Sequence, residues 1–289
     1  MKWFDYRAPV SLEEALALLA ERPGARPLAG GTDLLVQLRG GRRQTELVVD
    51  VKRIAELNAL EYDAAAGLRL GAAVPCYRIY RDGAVLAHYP ALAEVAGLIG
   101  GTQIQGRASI GGNLANAAPS ADAIPLLIAL EAKCRIARRG GAREVAVEDF
   151  CTGPGRTVLE PGELLVAIEI PPPKPESGAH YLRFIPRNEM DIAVAGAGVA
   201  VQLENGAFRR ARIALASVAP TPLYAREAGQ ALSGRPTSPE SIETASELAK
   251  AAAKPITDMR GTADYRRHLC AVLTRRALEA AIRKARGAK

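Results

Sequence analysis

Aromatic side chains are scarce in this sequence, at 4% of 289 positions with a single tryptophan. A surface that stacks the bases of a nucleic-acid strand needs more rings than that. The formal charge is +7, yet Lys and Arg are dispersed apart from Arg275-Arg276 and the tail Arg283, Lys284, Arg286 and Lys289. A basic helix end complements the helix dipole without any partner, so nucleic-acid binding is not expected. Cysteine is equally sparse. Cys76, Cys134, Cys151 and Cys270 stand far apart with no CxxC pair, which argues against an iron-sulfur or structural zinc motif and suits reduced, mostly buried thiols. His88, His180 and His268 are too scattered for a metal motif, and no metal site is expected. No apolar run approaches the ~18 residues of a membrane span. The N-terminal segment carries an acidic helix where a secretory signal keeps an unbroken apolar stretch, so the expected compartment is the cytoplasm.

What is present is an ordinary globular composition, 48% hydrophobic and 24% charged, at a length that favours two domains. Ser11 and Glu14 form a capping-box pattern ahead of a helix that Pro23-Gly24 stops. A short strand at 26–29 runs into Gly30-Gly31-Thr32-Asp33, after which Leu34, Leu35 and Leu38 recur at helical spacing. Strands follow at 47–51, near Leu60 and at 68–70, then a helix from Tyr89 to Ile99. A long glycine-rich segment, 100–122, precedes an apolar helix starting near Ala123. Residues 133–137 and 143–147 read as a hairpin about Arg139-Gly140-Gly141, and 164–170 as a strand. The proline run 171–175 is stiff and extended and marks a domain boundary. Beyond it, strands at 181–185, 195–203 and 208–218 read as an antiparallel sheet, and 222–232, 239–253 and 263–286 as helices.

Two of these segments carry chemistry. A Gly30-Gly31 pair lets backbone N–H groups approach a phosphate closely, the following helix start adds partial positive charge, and Thr32 offers a hydroxyl. Alone, such a turn is weak evidence, since the GxGxxG and GxxxxGK[ST] patterns are both absent. About eighty residues later Ser109-Ile110-Gly111-Gly112-Asn113 repeats the design, and two phosphate cradles suit a diphosphate. Asp122 either accepts hydrogen bonds from a sugar or ribityl hydroxyl or caps the helix after it.

Four stretches, RPLAGGTDLLVQLRGG, ASIGGNLANAAPSADAIPLL, GELLVAIEIP and YLRFIPRNEMDIAVAGAGV, resemble in order and spacing the flavoprotein (medium) subunit of molybdenum hydroxylases, the family of the xanthine dehydrogenase flavin domain. The resemblance implies an α+β chain: an FAD-binding domain of the vanillyl-alcohol-oxidase type at 1–173, made of two α/β subdomains at about 1–57 and 58–173, then a C-terminal antiparallel sheet plus three-helix domain at 177–289. By position it implies that Leu28, Ala29, Gly30, Gly31, Thr32, Asp33 and Leu34, with Ser109, Ile110, Gly111, Gly112 and Asn113, line the FAD pyrophosphate. Asp122 would hold a sugar or ribityl hydroxyl, and Leu165 would pack near the flavin. Arg183 falls where a relative places a lysine near the isoalloxazine, and a fixed positive charge there stabilises reduced flavin; its alternative is a surface salt bridge. Arg187 and Asp191 belong to the same family pattern, and a structural ion pair explains them as well as catalysis does. Ile99 stands where one relative has a ring near adenine, and Gly106-Arg107 where many have Arg-Asn, so adenine stacking is not implied. No residue is expected to be catalytic.

The implied role is electron transfer. A small subunit with [2Fe-2S] clusters and a large molybdopterin subunit would be partners in a dimer of heterotrimers, with FAD on this chain passing electrons to NAD, quinone or oxygen. The rival reading is a stand-alone FAD-dependent oxidase or reductase of the same fold.

Overall fold

The computed structural model describes residues 2–287; Met1, Ala288 and the tail residue Lys289 lie outside the described residues. Strand β1 (Asp5–Arg7) leads into helix α1 (Leu12–Glu21), which buries Ala15, Leu16 and Leu19. The Ser11 hydroxyl accepts the Glu14 N–H at 3.2 Å, as the capping pattern predicts. Then come β2 (Arg26–Leu28), the glycine turn, α2 (Leu34–Arg39), β3 (Leu47–Asp50) and α3 (Ala55–Asn58). The strands form a parallel sheet in the order β1-β3-β2.

A hairpin of β4 (Leu60–Asp63) and β5 (Gly67–Gly71) opens the second layer. It is followed by short helices α4 (Cys76–Ile79), α5 (Gly83–His88), α6 (Pro90–Ala96), α7 (Thr102–Gln105), α8 (Ile110–Asn116) and α9 (Ala123–Ala129). The hairpin β6 (Lys133–Arg138) and β7 (Gly141–Ala146), the turn α10 (Val147–Phe150), the small pair β8 (Cys151–Gly153) and β9 (Arg156–Thr157), and β10 (Leu164–Ile170) complete it. The five-stranded sheet runs β4-β5-β10-β6-β7, antiparallel throughout. Its central strand joins two cores. Leu164 and Val166 pack with α1 and β3, whereas Leu165, Ile168 and Ile170 pack beneath the α4–α9 helices. The strict alternation expected of a strand shifts once, at a bulge between Leu165 and Ala167.

The third layer is the antiparallel sheet β11 (Ser177–Phe184), β12 (Ala195–Glu204), β13 (Ala207–Ala216) and β14 (Leu223–Tyr224), with α11 (Arg226–Gln230), α12 (Pro239–Ala252) and α13 (Ala263–Ala285). Helices α12 and α13 share a core with one face of this sheet, and α9 lies against β12 and β13. A Cβ at Gly198 of β12 would sit 2.6 Å from the α9 backbone at Leu126, so glycine there sets how closely helix and sheet meet.

One local expectation fails. Residues 222–232 are not one helix: Leu223 and Tyr224 pair with Leu215 and Ala214 as an edge strand, and the helix is confined to Arg226–Gln230. Tyr224 is fixed there by its ring, which lies between the Arg212 and Arg226 guanidiniums at 4.1 and 4.6 Å. The glycine-rich segment 100–122 contains two short helices, α7 and α8, that the sequence reading did not separate. Glycine disfavours a helix by about 1 kcal/mol, and α8 forms regardless because Ser109 caps it through the Gly112 N–H at 3.0 Å and Ile110 and Leu114 are fully buried.

Candidate functional site

The two glycine segments meet. A Cβ on Gly30 would lie 2.1 Å from the Arg107 carbonyl oxygen, a distance no side chain tolerates, so glycine is what lets the backbones touch. Arg107 Nε donates to Gly30 O at 3.1 Å, and Gln37 Nε2 of α2 donates to Asn116 Oδ1 of α8 at 2.9 Å. Gly31 has φ +78°, the left-handed conformation that turns β2 toward α2.

At this junction the side chains of Leu28 and Ile110 are turned into the core, and what these positions offer a ligand is backbone. The N–H groups of Gly30, Gly31, Thr32, Asp33 and Leu34 donate to no group among the described residues, nor does that of Gly111, whereas Ile110 lies in the bridge that pairs Ser109 with Pro75. Asp33 precedes α2 without capping it. Unpartnered backbone N–H groups in a glycine turn ahead of a helix are the kind of donor an anion uses. Gly111 is packed against Ala72, with a virtual Cβ 2.4 Å from its carbonyl oxygen, while at Gly112 a Cβ would meet only Ser109 Oγ at 3.0 Å. Packing explains the first glycine and not the second. Beside it, Asn113 Oδ1 is buried without a donor. A buried acceptor of that kind calls for a hydroxyl or amide donor from outside the chain.

Asp122 and Arg183, 61 residues apart, are brought together: Arg183 Nη1 donates to Asp122 Oδ2 at 2.5 Å. The pair is not on the surface, its side chains being 9% and 12% exposed. Tyr181 OH donates to Asp122 Oδ1 at 2.8 Å. Asp122 makes no cap for α9, so the capping alternative is set aside. Burial pushes the Asp122 carboxyl above its ordinary value, and Arg183 and Tyr181 offset that only in part. Burial, reinforced by the Asp122 charge, holds the Tyr181 phenol well above its own. The Nε and Nη2 groups of Arg183 have no partner among the described residues.

The loop after β11 closes the far side. Arg187 and Asp191 are 3.9 Å apart, Arg187 Nη2 donates to Met190 O at 2.6 Å, and the Met190 sulfur lies 3.6 Å from Gln103 Nε2 of α7. Leu165 sits behind α8 in the core that also holds Ile110 and Leu114, and is 3% exposed. Ile99 is half-buried against the same core. Sequence reasoning missed Tyr181, Gln37 and Asn116. Strand alternation carried the signal for Tyr181, since residues 181 and 183 of one strand share a face.

Residues 2–173 match the family described as FAD binding domain in molybdopterin dehydrogenase, and residues 180–281 the CO dehydrogenase flavoprotein C-terminal domain. The chain is 34% identical over 284 residues to the xanthine dehydrogenase FAD-binding subunit of Escherichia coli O157:H7, covering 98% of this chain and 97% of that one. It is 36% identical over 284 residues to the carbon monoxide dehydrogenase medium chain of Afipia carboxidovorans, covering 98% of each. Among solved structures, carbon monoxide dehydrogenase from Hydrogenophaga pseudoflava superposes with a TM-score of 0.93 at 35% identity, covering 97% of both chains. Quinoline 2-oxidoreductase from Pseudomonas putida 86 gives 0.91 at 33% identity, covering 99% of this chain and 98% of that one.

Proposed function

The chain belongs to the FAD-binding medium subunits of the molybdenum hydroxylase family, and from that premise we propose that the junction of its two glycine segments holds the FAD pyrophosphate and that the chain is the electron-transfer flavoprotein of a multi-subunit oxidoreductase. The observation that carries the site assignment is the row of unpartnered amides from Gly30 to Leu34, set against the second segment by the Gly30–Arg107 contact. FAD supplies the exchange between single-electron and two-electron carriers.

The residues divide the work by chemistry. Backbone amides of Gly30–Leu34 and Gly111 would stabilise phosphate charge through hydrogen bonds without bringing a counter-cation, and Ile110 would shape the second segment from the core side. Thr32 adds a hydroxyl to that cradle. Asn113 Oδ1 is the buried acceptor for a ligand hydroxyl. Arg183 provides a fixed positive charge, and Asp122 limits its size. Leu28, Ala29, Ile110 and Leu165 support these groups from the core side.

A small [2Fe-2S] subunit and a large molybdopterin subunit are the proposed partners, in a dimer of heterotrimers, with NAD, quinone or oxygen as acceptor and the cytoplasm as compartment. The division of the chain into 1–173, with subdomains near 1–57 and 58–173, and 177–289 is proposed on the same basis. Among the described residues, no helix is long and apolar enough to cross a membrane.

The test is the visible spectrum of the purified chain with and without added FAD, followed by release and identification of bound nucleotide. Stoichiometric FAD is expected, and Gly112→Leu is expected to abolish its binding while leaving thermal unfolding close to wild type, because a Cβ there meets only Ser109 Oγ. Full flavin occupancy in Gly112→Leu would move the pyrophosphate elsewhere.

A further inference from the structure

We propose that Tyr181 is a positioning residue of the flavin site: its hydroxyl holds one oxygen of Asp122 so that the other fixes Arg183, leaving the unpartnered edge of the guanidinium for the flavin. This rests on the assignment of the glycine-segment junction to FAD made above.

Three observations converge on it. Tyr181 and Arg183 point to the same face of β11, the face that meets the first domain, and both reach the single carboxylate of Asp122 at 2.8 and 2.5 Å. Space has been left for the hydroxyl, since a Cβ at Gly196 of β12 would come within 2.5 Å of Tyr181 OH. A phenylalanine would fill the same pocket without the hydrogen bond, so the hydroxyl answers to Asp122 and not to packing alone. The third is the state of Arg183: a nearly buried cation with one carboxylate bond and its remaining N–H groups free among the described residues. A guanidinium offers five donors in a rigid fork, and one whose far edge is unpaired is aimed at something the chain does not itself supply.

Tyr181 thereby governs how much of the Arg183 charge the ligand feels. The groups facing Asp122 are Tyr181 and Arg183, and α9, which Asp122 precedes, carries no charged side chain over Ala123–Ala129. Both donors favour the charged carboxylate, which balances Arg183. Removing the phenolic donor takes away one stabilising bond to the charged form, so Asp122 binds its proton at higher pH. Once protonated it leaves Arg183 uncompensated, which favours the more negative, reduced flavin.

The experiment uses the full chain loaded with FAD and measures the flavin midpoint potential from pH 6 to 9, with FAD stoichiometry and thermal unfolding as companions. Tyr181→Phe is expected to retain FAD and to match wild type at the alkaline end. Toward the acid end its preference for reduced over oxidised flavin rises severalfold, read as a positive shift in potential. Asp122→Asn, which is uncharged at every pH, is expected to show the positive shift across the range, and Arg183→Met the opposite shift. A merely structural tyrosine would lower the unfolding temperature and leave the potentials superimposed, and that result overturns the proposal. So does an unshifted potential in Asp122→Asn, which serves if Tyr181→Phe fails to fold. Absence of FAD from the wild-type chain after reconstitution instead removes the flavin assignment itself.

Discussion

A buried charge is tolerable only when its hydrogen bonds are complete, and Glu163 shows how that is achieved in the ordinary scaffold of this protein. Its side chain is 1% exposed. Arg143 donates to both oxygens, at 2.8 and 2.7 Å, and the Glu160 N–H adds a third bond at 2.9 Å. The Arg143 bonds hold its carboxyl below the ordinary value, against the opposing effect of burial. A depressed carboxyl stabilises the fold fully above its unfolded value of 4.5, and that contribution is lost as pH falls through the lower folded value. Glu163→Gln is therefore expected to unfold at lower temperature than wild type at pH 7, with the gap narrowing below pH 4.5; thermal unfolding across a pH series measures it. Asp122 runs the other way. Its carboxyl is raised, so deprotonation costs stability as pH climbs, the mark of a group kept for its site and not for the fold.

Between elements, the decisive contacts are backbone on backbone. Gly30 and Gly112 look alike in sequence and differ in structure. Gly30→Ala forces a methyl to 2.1 Å from the Arg107 carbonyl oxygen, and a loss of stability at or beyond the upper end of the roughly 1–3 kcal/mol typical of overpacking is expected. Denaturant unfolding of the apo chain distinguishes this from Gly112→Leu, whose defect is confined to the ligand. Much of this scale was legible. Ser11 with the apolar period behind it gave α1, the strands read at 195–203 and 208–218 are β12 and β13, and the proline run separates β10 from β11. The missed elements failed for physical reasons. Helix α8 carries two glycines and owes its existence to a cap and to the burial of Ile110 and Leu114, both invisible to propensity. Strand β14 is only two residues long and is set by where Arg212 and Arg226 stand. The glycine segments and Arg183 could be found by position in the family, but the Tyr181–Asp122–Arg183 cluster joins residues about sixty apart, a pairing that local pattern does not encode.

At the scale of the whole molecule, the cysteines report on how thoroughly the layers are sealed. Burial pushes Cys76, Cys134 and Cys270 up to about 12 and Cys151 to about 11, and a thiol so far from ionisation is a poor nucleophile at neutral pH. Iodoacetamide at pH 8 is expected to leave the first three unmodified in the native chain and to label all four in denaturant; mass spectrometry counts the adducts. The layers are also sealed to one another. Every residue of α9 is buried, and its outer cover is β12 and β13, which are encoded after it. A ribosome adding about 5–20 residues per second therefore delivers this apolar helix several seconds before the strands that shield it. During synthesis the first half of the protein is a sticky, incomplete object, and the interval before β13 emerges is when a chaperone has most to do.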